Sequence, residues 1–322
     1  MPRKILEVKN LSKNFRIGRG LLKKQQQTLQ AVTNGSFIVY ENKTLGVVGE
    51  SGCGKSTTGR LIMRLEEADE GEIIFNDQNI LGLPNKTMKL MRKNMQMIFQ
   101  DPYASLNPHM TILESVEYPL KVHGINSTDR KAKSIEMLEM VGISKKLSGK
   151  YPNSFSGGQR QRVSIARALV LNPQFIVADE PVSALDKSIQ AQVLNLLEDL
   201  KENFSLSMMF ISHDLNVIEY VSDYVMVMYL GKIVEYGPVD DIFSNPLHPY
   251  TQALIKSSPS MKRGEKSSIY VIKGELPSPI NPPSGCRFRT RCPHVFDKCS
   301  QQEPKLMSVN GEHQISCFLH GN

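Results

Sequence analysis

The segment Gly49-Glu50-Ser51-Gly52-Cys53-Gly54-Lys55-Ser56 fits the pattern G-x-x-x-x-G-K-[ST] in full. Residues of these types at this spacing do phosphate chemistry. The glycines let the backbone fold around a phosphate with its N–H groups pointing inward, and a helix starting near Gly54 adds its positive dipole end. Lys55 is expected to reach the β- and γ-phosphates, and Ser56 to ligate Mg²⁺. Cys53 reads as a small filler. A second element is Phe175-Ile176-Val177-Ala178-Asp179-Glu180, an apolar strand that delivers two carboxylates at its end. Asp179 is placed to hold the Mg²⁺ shell, and Glu180 to orient or deprotonate an attacking water. Alone, such a pair reads as solvent-exposed acids; with a complete phosphate loop it reads as catalytic. Between the two lies Phe155-Ser156-Gly157-Gly158-Gln159, a second anion-binding nest at a helix start. Read alone, it is no more than a glycine N-cap.

The elements that must position these groups alternate. Residues 5–10 and 36–40 read as short strands, and Arg16–Gln30, with its Lys23-Lys24 run, as a solvated loop. Leu45–Gly49 reads as a buried strand, Gly54–Leu65 as a helix, and 71–81 as a strand and turn. Thr111–Val122 and Asp129–Val141 look helical, a helical insertion of about 101–157. Further helices are expected at 159–170 and 188–204, and strands at 175–178, 207–212 and 224–229, with a hairpin to 237. Met88, Met91 and Met95 read as core, and His248 and His123 have no ligand-spaced partner. Strands alternating with helices imply an α/β fold with a mostly parallel sheet and a ligand at the strands' carboxyl ends.

The 322 residues carry a formal net charge of +7, with 40% apolar and 22% charged side chains. That composition builds a real core and excludes wholesale disorder. No apolar run approaches the roughly 18 residues needed to span a bilayer, and the N-terminus has no signal-peptide core. A cytosolic protein is expected, meeting a membrane only through a partner. The charge is uneven: residues 251–322 hold 10 basic and 5 acidic side chains. Pro277, Pro279, Pro282 and Pro283 mark that stretch as a separate appendage. It also holds Cys286, Cys292, Cys299 and Cys317. Disulfides are disfavoured in the cytosol, so four clustered cysteines suggest a metal. No C-x₂₋₄-C knuckle favours zinc, and iron–sulfur clusters accept more variable spacing. Zinc and unligated thiols stay open beside a cluster.

In their order, these motifs resemble the nucleotide-binding subunits of ATP-binding-cassette transporters, over essentially the whole chain. The resemblance implies a P-loop NTPase cassette: a RecA-like core, an antiparallel β subdomain, a helical subdomain and a small C-terminal metal-binding appendage. The cassette would span 1–250 and the extension 251–322. It implies that ATP is held by Phe15, stacked on adenine, by Gly49, Glu50, Ser51, Gly52, Cys53, Gly54, Lys55, Ser56 and Thr57, and by Gln100 and Asp179. Gln100, after Met97-Ile98-Phe99, occupies the Q-loop position and joins Ser56 at Mg²⁺. Glu180, Lys55 and His213, after Phe210-Ile211-Ser212, would be the catalytic groups. Ser156, Gly157, Gly158 and Gln159 form the signature that completes the opposite subunit's site, with Phe155 where Leu is commoner. Asp186, closing Ser183-Ala184-Leu185, is the D-loop residue.

A narrower likeness is carried by Gln100–Pro108, by His248-Pro249-Tyr250-Thr251, and by Gly274–Pro293 with its Cys-Arg-Phe-Arg-Thr-Arg-Cys core. These segments look like the oligopeptide/dipeptide permease ATPases. The stretches from Pro181 to Asp186 and from Ser188 to Gln192 are closer to the second, F-type, of that system's two ATPases. Lys187 departs from the apolar residue common there. This resemblance implies peptide import driven by ATP hydrolysis and a second, homologous ATPase subunit in a heterodimer. It also implies two transmembrane permease subunits, an extracellular peptide-binding receptor, and a place at the cytoplasmic face of a bacterial membrane. The alternatives are a related importer for nickel or other metal chelates, and a soluble non-transport cassette ATPase. The family tail implies a [4Fe-4S] cluster on Cys286, Cys292, Cys299 and Cys317, with zinc as the alternative. Arg287, Arg289, Arg291 and Lys298 then read as counter-charge to that site rather than as a nucleic-acid footprint, and no nucleic-acid partner is expected.

Overall fold

The structure, a computed structural model, describes residues 3–17, 27–257 and 274–321. The chain forms two compact units. The first gathers 82–211 with the short stretches 3–5 and 39–43. At its centre the strands Met95–Ile98, Phe175–Asp179 and Ser207–Ile211 run parallel, with Phe175–Asp179 in the middle. Ala178 sits opposite Ile98 on one side and Phe210 on the other. Every residue of Phe175–Asp179 and Ser207–Ile211 is buried, as expected of parallel strands covered on both faces. The same apolar run that reads as a strand in the sequence therefore delivers Asp179 to the strand's end.

The helices Ile112–Val122, Ser127–Met140 and Gly157–Leu169 pack on one another. Each has its own start signal. Thr111 and Glu114 form a capping box, Asn126 accepts from the Asp129 N–H, and Ser156 and Gln159 form a second capping box. Lys187–Phe204 is capped by Asp186, buries Val193, Leu194, Leu197 and Leu200, and ends at Ser205 in the left-handed region.

The second unit gathers the described residues of 6–38, 44–81 and 212–321. Its strand Thr44–Val48 is wholly buried and pairs in parallel with Tyr224–Tyr229. Tyr224–Tyr229 continues antiparallel into Lys232–Pro238, then His313–Ile315, then Met307–Asn310. A second sheet orders Gln27–Tyr40, Lys4–Ile17, Glu70–Phe75 and Gln78–Asn79. Residues 27–30, expected in a loop, are strand. The Lys23-Lys24 run lies outside the described residues.

The proline- and cysteine-rich tail thus adds strands to the edge of a sheet and fills a core. Tyr229, Tyr250 and Phe288 interlock with ring centroids 4.7 Å, 5.3 Å and 5.4 Å apart. Glu235, fully buried, accepts from the N–H groups of Leu247 and His248 and meets His313 Nε2 at 2.8 Å. Among the described residues, no helix is long and apolar enough to cross a membrane.

Candidate functional site

In the second unit, Thr44–Val48 runs into Gly49, and the loop to Gly54 opens the helix Lys55–Ile62. The two glycines are required sterically. A Cβ on Gly49 would lie 2.1 Å from Met228 O and 2.7 Å from Cys53 Sγ. Gly54 has φ of 103°, and its Cβ would lie 2.2 Å from Ala31 O. Ser51 and Gly52 are exposed, while Ser56 and Thr57 are half-buried on the first turn. Lys55 is buried, its Nζ donating to Gly49 O at 2.7 Å and to Glu50 O at 3.0 Å. Cys53 is buried as the filler the sequence suggests; burial pushes its thiol pKa up, against the pull of nearby Lys55. The loop is a glycine cradle with a cation folded into it, and its chemistry fits a nucleotide phosphate.

His213 is exposed one residue beyond Ser212, whose N–H donates to Val47 O at 3.1 Å in the strand that leads to the loop. Phe15 is half-buried, with Lys13 Nζ 5.3 Å from its ring centroid.

In the first unit, Asp179 is buried at the end of its strand. Glu180 follows with φ of 46°, a left-handed conformation uncommon for a residue with a side chain. Its N–H donates to Ile211 O at 3.0 Å, and its Oε2 accepts from Gln100 Nε2 at 3.0 Å. Two residues named separately by sequence, Gln100 and Glu180, are thus brought together. Ser156 and Gln159 are committed to each other: Ser156 N–H donates to Gln159 Oε1 at 3.0 Å, and Gln159 N–H to Ser156 Oγ at 3.3 Å. Gly157 remains open enough for ordinary contact, whereas a Cβ on Gly158 would meet Ile189 Cγ2 at 2.4 Å. Asp186 caps its helix through the Ile189 N–H and also takes the Ser188 hydroxyl; these hydrogen bonds hold its carboxyl below the usual range. Ser56 in the second unit, and Gln100 and Asp179 in the first, each offer the oxygen donors that a hard divalent cation such as Mg²⁺ takes.

The tail corrects the sequence reading. Cys286, Cys292, Cys299 and Cys317 line one small cavity with His248, Phe288 and Phe318. Among the described residues, however, no three His, Cys, Asp or Glu side chains converge as metal ligands. The expected [4Fe-4S] cluster, and with it the iron–sulfur character of the protein, is withdrawn. Burial pushes the thiol pKa of Cys286 up to about 11 and raises those of Cys292 and Cys317.

The arginines are not counter-charge to a metal either. Arg287 donates to Leu230 O, Gln30 Oε1 and Thr33 Oγ1. Arg289 donates to Ser284 O at 2.8 Å, and Lys298 lies 4.5 Å from the Phe318 ring centroid. Arg291 pairs with Glu50 of the phosphate loop at 2.9 Å, and Tyr250 Oη accepts the Glu50 N–H at 2.9 Å. Sequence reasoning did not name Tyr250 or Arg291 as part of this site.

Comparison with known proteins agrees with this geometry. The family description "ABC transporter" matches residues 32–183, and "Oligopeptide/dipeptide transporter, C-terminal region" matches residues 234–299. The oligopeptide transport ATP-binding protein AppF of Bacillus subtilis is 50% identical over 320 residues, covering 98% of this chain and 97% of AppF. The chain belongs to the ATP-binding proteins of the oligopeptide/dipeptide ABC transporter family. The dipeptide transport ATP-binding protein DppF of Haemophilus influenzae, another member, is 47% identical over 98% of this chain and 96% of its own length. Among solved structures, a dimeric ATP-binding cassette in a post-hydrolysis state, bound to ADP and phosphate, aligns with a TM-score of 0.64 at 29% identity. It covers 73% of this chain and 98% of the cassette. This family member therefore joins an ABC ATPase domain to the family's own C-terminal region.

Proposed function

We propose that this chain hydrolyses ATP to power the import of oligopeptides or dipeptides through an ABC transporter. The observation that carries the reading is the complete glycine cradle around Lys55, in a chain 50% identical over 98% of its length to an oligopeptide transport ATP-binding protein. Lys55 and the loop N–H groups hold the phosphates, with Phe15 against the adenine. Ser56, Gln100 and Asp179 are the residues that would hold Mg²⁺, which would supply neutralisation of phosphoryl charge. Glu180, oriented by Gln100, takes the proton of the attacking water, and His213 meets the γ-phosphate. Ser156, Gly157, Gly158 and Gln159, with Asp186, face the nucleotide of a second cassette.

The cassette spans 1–250 and the extension 251–322. The partners are a second, homologous ATPase subunit, two transmembrane permease subunits and an extracellular peptide-binding receptor. The chain works peripherally at the cytoplasmic face of the membrane. The test is reconstitution of this chain with its permease and receptor partners in proteoliposomes. Peptide uptake should require ATP and be lost with Lys55→Ala. Uptake of metal chelates but of no peptide would overturn the assignment of cargo.

A further inference from the structure

Glu50 is the first variable residue of the phosphate loop, yet it is held by residues 200 and 241 positions away. Its main-chain N–H donates to Tyr250 Oη at 2.9 Å. Its carboxylate receives Arg291 Nη1 at 2.9 and 3.1 Å. Tyr250 is fully buried against Tyr229 and Phe288, and the Arg291 side chain is 7% exposed, so neither group moves without disturbing a packed core. Burial also pushes the Tyr250 hydroxyl well above its ordinary pKa, so it stays a neutral acceptor.

The Gly49–Glu50 peptide links these contacts to the loop lysine. In a trans peptide the C=O and N–H point in opposite directions. Anchoring the Glu50 N–H on Tyr250 therefore aims Gly49 C=O the other way, and that carbonyl accepts from Lys55 Nζ at 2.7 Å. The next carbonyl, Glu50 O, takes the same ammonium at 3.0 Å. One residue thus joins the C-terminal region, through its backbone and its side chain, to the cation of the phosphate cradle.

We propose that Tyr250 and Arg291 are positioning residues for the phosphate loop: by fixing the Gly49–Glu50 peptide and the Glu50 side chain, they preorganise the cradle that binds ATP. The proposal rests on the reading of the loop as an ATP site. It gives the C-terminal region a task in nucleotide binding and explains why a phosphate loop carries an acidic residue beside its ligand. The carboxylate is turned to Arg291 instead of to the phosphates.

The test is steady-state ATP hydrolysis and nucleotide binding by the assembled transporter carrying Tyr250→Phe, Arg291→Met, Arg291→Lys or Glu50→Gln in this subunit. Loss of one such hydrogen bond should raise KM for ATP about five- to tenfold while kcat stays within about twofold. Arg291→Lys should recover most of the loss, because one nitrogen makes both contacts to Glu50. Glu50→Gln, a change at a partly exposed side chain, should reproduce Arg291→Met, and the double variant should be no worse than either alone. KM within about twofold of the parent in both Arg291→Met and Glu50→Gln would overturn the proposal, as would strictly additive effects. Lys55→Ala separates the two readings. If it keeps parental turnover, the ATP site itself is misassigned; if it abolishes turnover while the other variants are silent, only the positioning role fails.

Discussion

Gln100 Nε2 donates to Glu180 Oε2 at 3.0 Å, across 80 residues of sequence, within a single unit of the fold. Glu180 is fixed at its backbone as well, by a left-handed φ and by its N–H bond to Ile211 O. A carboxylate held at both ends is oriented before any water arrives, which is what a general base needs. Removing the amide by Gln100→Ala should lower kcat for ATP about tenfold, the scale of one hydrogen bond to a charged group. Gln100 is exposed, so unfolding stability should change by no more than about 0.5 kcal/mol. Coupled ATPase assays and urea titration check the two halves.

The two signature glycines should separate fold from function. A Cβ on Gly158 meets Ile189 Cγ2 at 2.4 Å, whereas one on Gly157 meets only Leu185 Cδ2 at 3.6 Å. Gly158→Ala should cost about 1–3 kcal/mol through overpacking. Gly157→Ala should leave the isolated subunit's stability within about 0.5 kcal/mol, so any loss of ATPase it causes would belong to the proposed contact with the opposite nucleotide. Chemical denaturation of the subunit, beside ATPase of the assembled complex, reads both.

Glu235 is the buried carboxyl group that ties the tail to the sheet. It serves the N–H groups of Leu247 and His248 and pairs with His313. Glu235→Ala strands all three donors and should cost about 3–5 kcal/mol, whereas His313→Ala should cost less because the two N–H groups keep their acceptor. Equal and small losses, within about 1 kcal/mol, would contradict the clamp.

His248 sets an acid limit. Burial lowers its pKa from 6.5 to about 4, opposed by Glu235 and assisted by His320. Its Nδ1 accepts from the Tyr250 N–H at 3.0 Å, a bond that needs the unprotonated nitrogen. As pH falls from 6.5 toward 4 the unfolded chain takes up the proton first, so stability falls through that window, by about 3 kcal/mol from this group. His248→Gln should flatten the pH dependence of the unfolding free energy by that amount. A slope between pH 7 and 4 unchanged from the parent would contradict the assignment.

What the sequence made legible was local. The phosphate loop is a contiguous motif whose spacing singles out Lys55 and Ser56, and beside it the strand-end pair Asp179 and Glu180 becomes a candidate. The apolar run of Phe175–Ala178 and the stripe along the helix from Lys187 are likewise readable, because periodicity encodes burial. Contacts between distant residues were not readable. Nothing in His248-Pro249-Tyr250 shows that Tyr250 Oη reaches Glu50, and nothing around Arg291 shows that its partner is 241 residues upstream. The clustered cysteines misled for the same reason. Proximity in sequence suggested convergence on a metal, but their side chains line a cavity without converging as ligands. The neighbouring arginines then looked like counter-charge, whereas Arg287 binds Leu230 O, Arg291 binds the Glu50 carboxylate, and Arg289 binds Ser284 O within the tail.

The most direct test of ATP hydrolysis at this chain's own site is the turnover of the assembled transporter with Glu180→Gln in this subunit alone. ATP binding should persist, because the phosphate loop is untouched, and kcat should fall by about a hundredfold or more, the scale of a lost general base. Turnover equal to the parent, with ATP bound as before, would contradict the account.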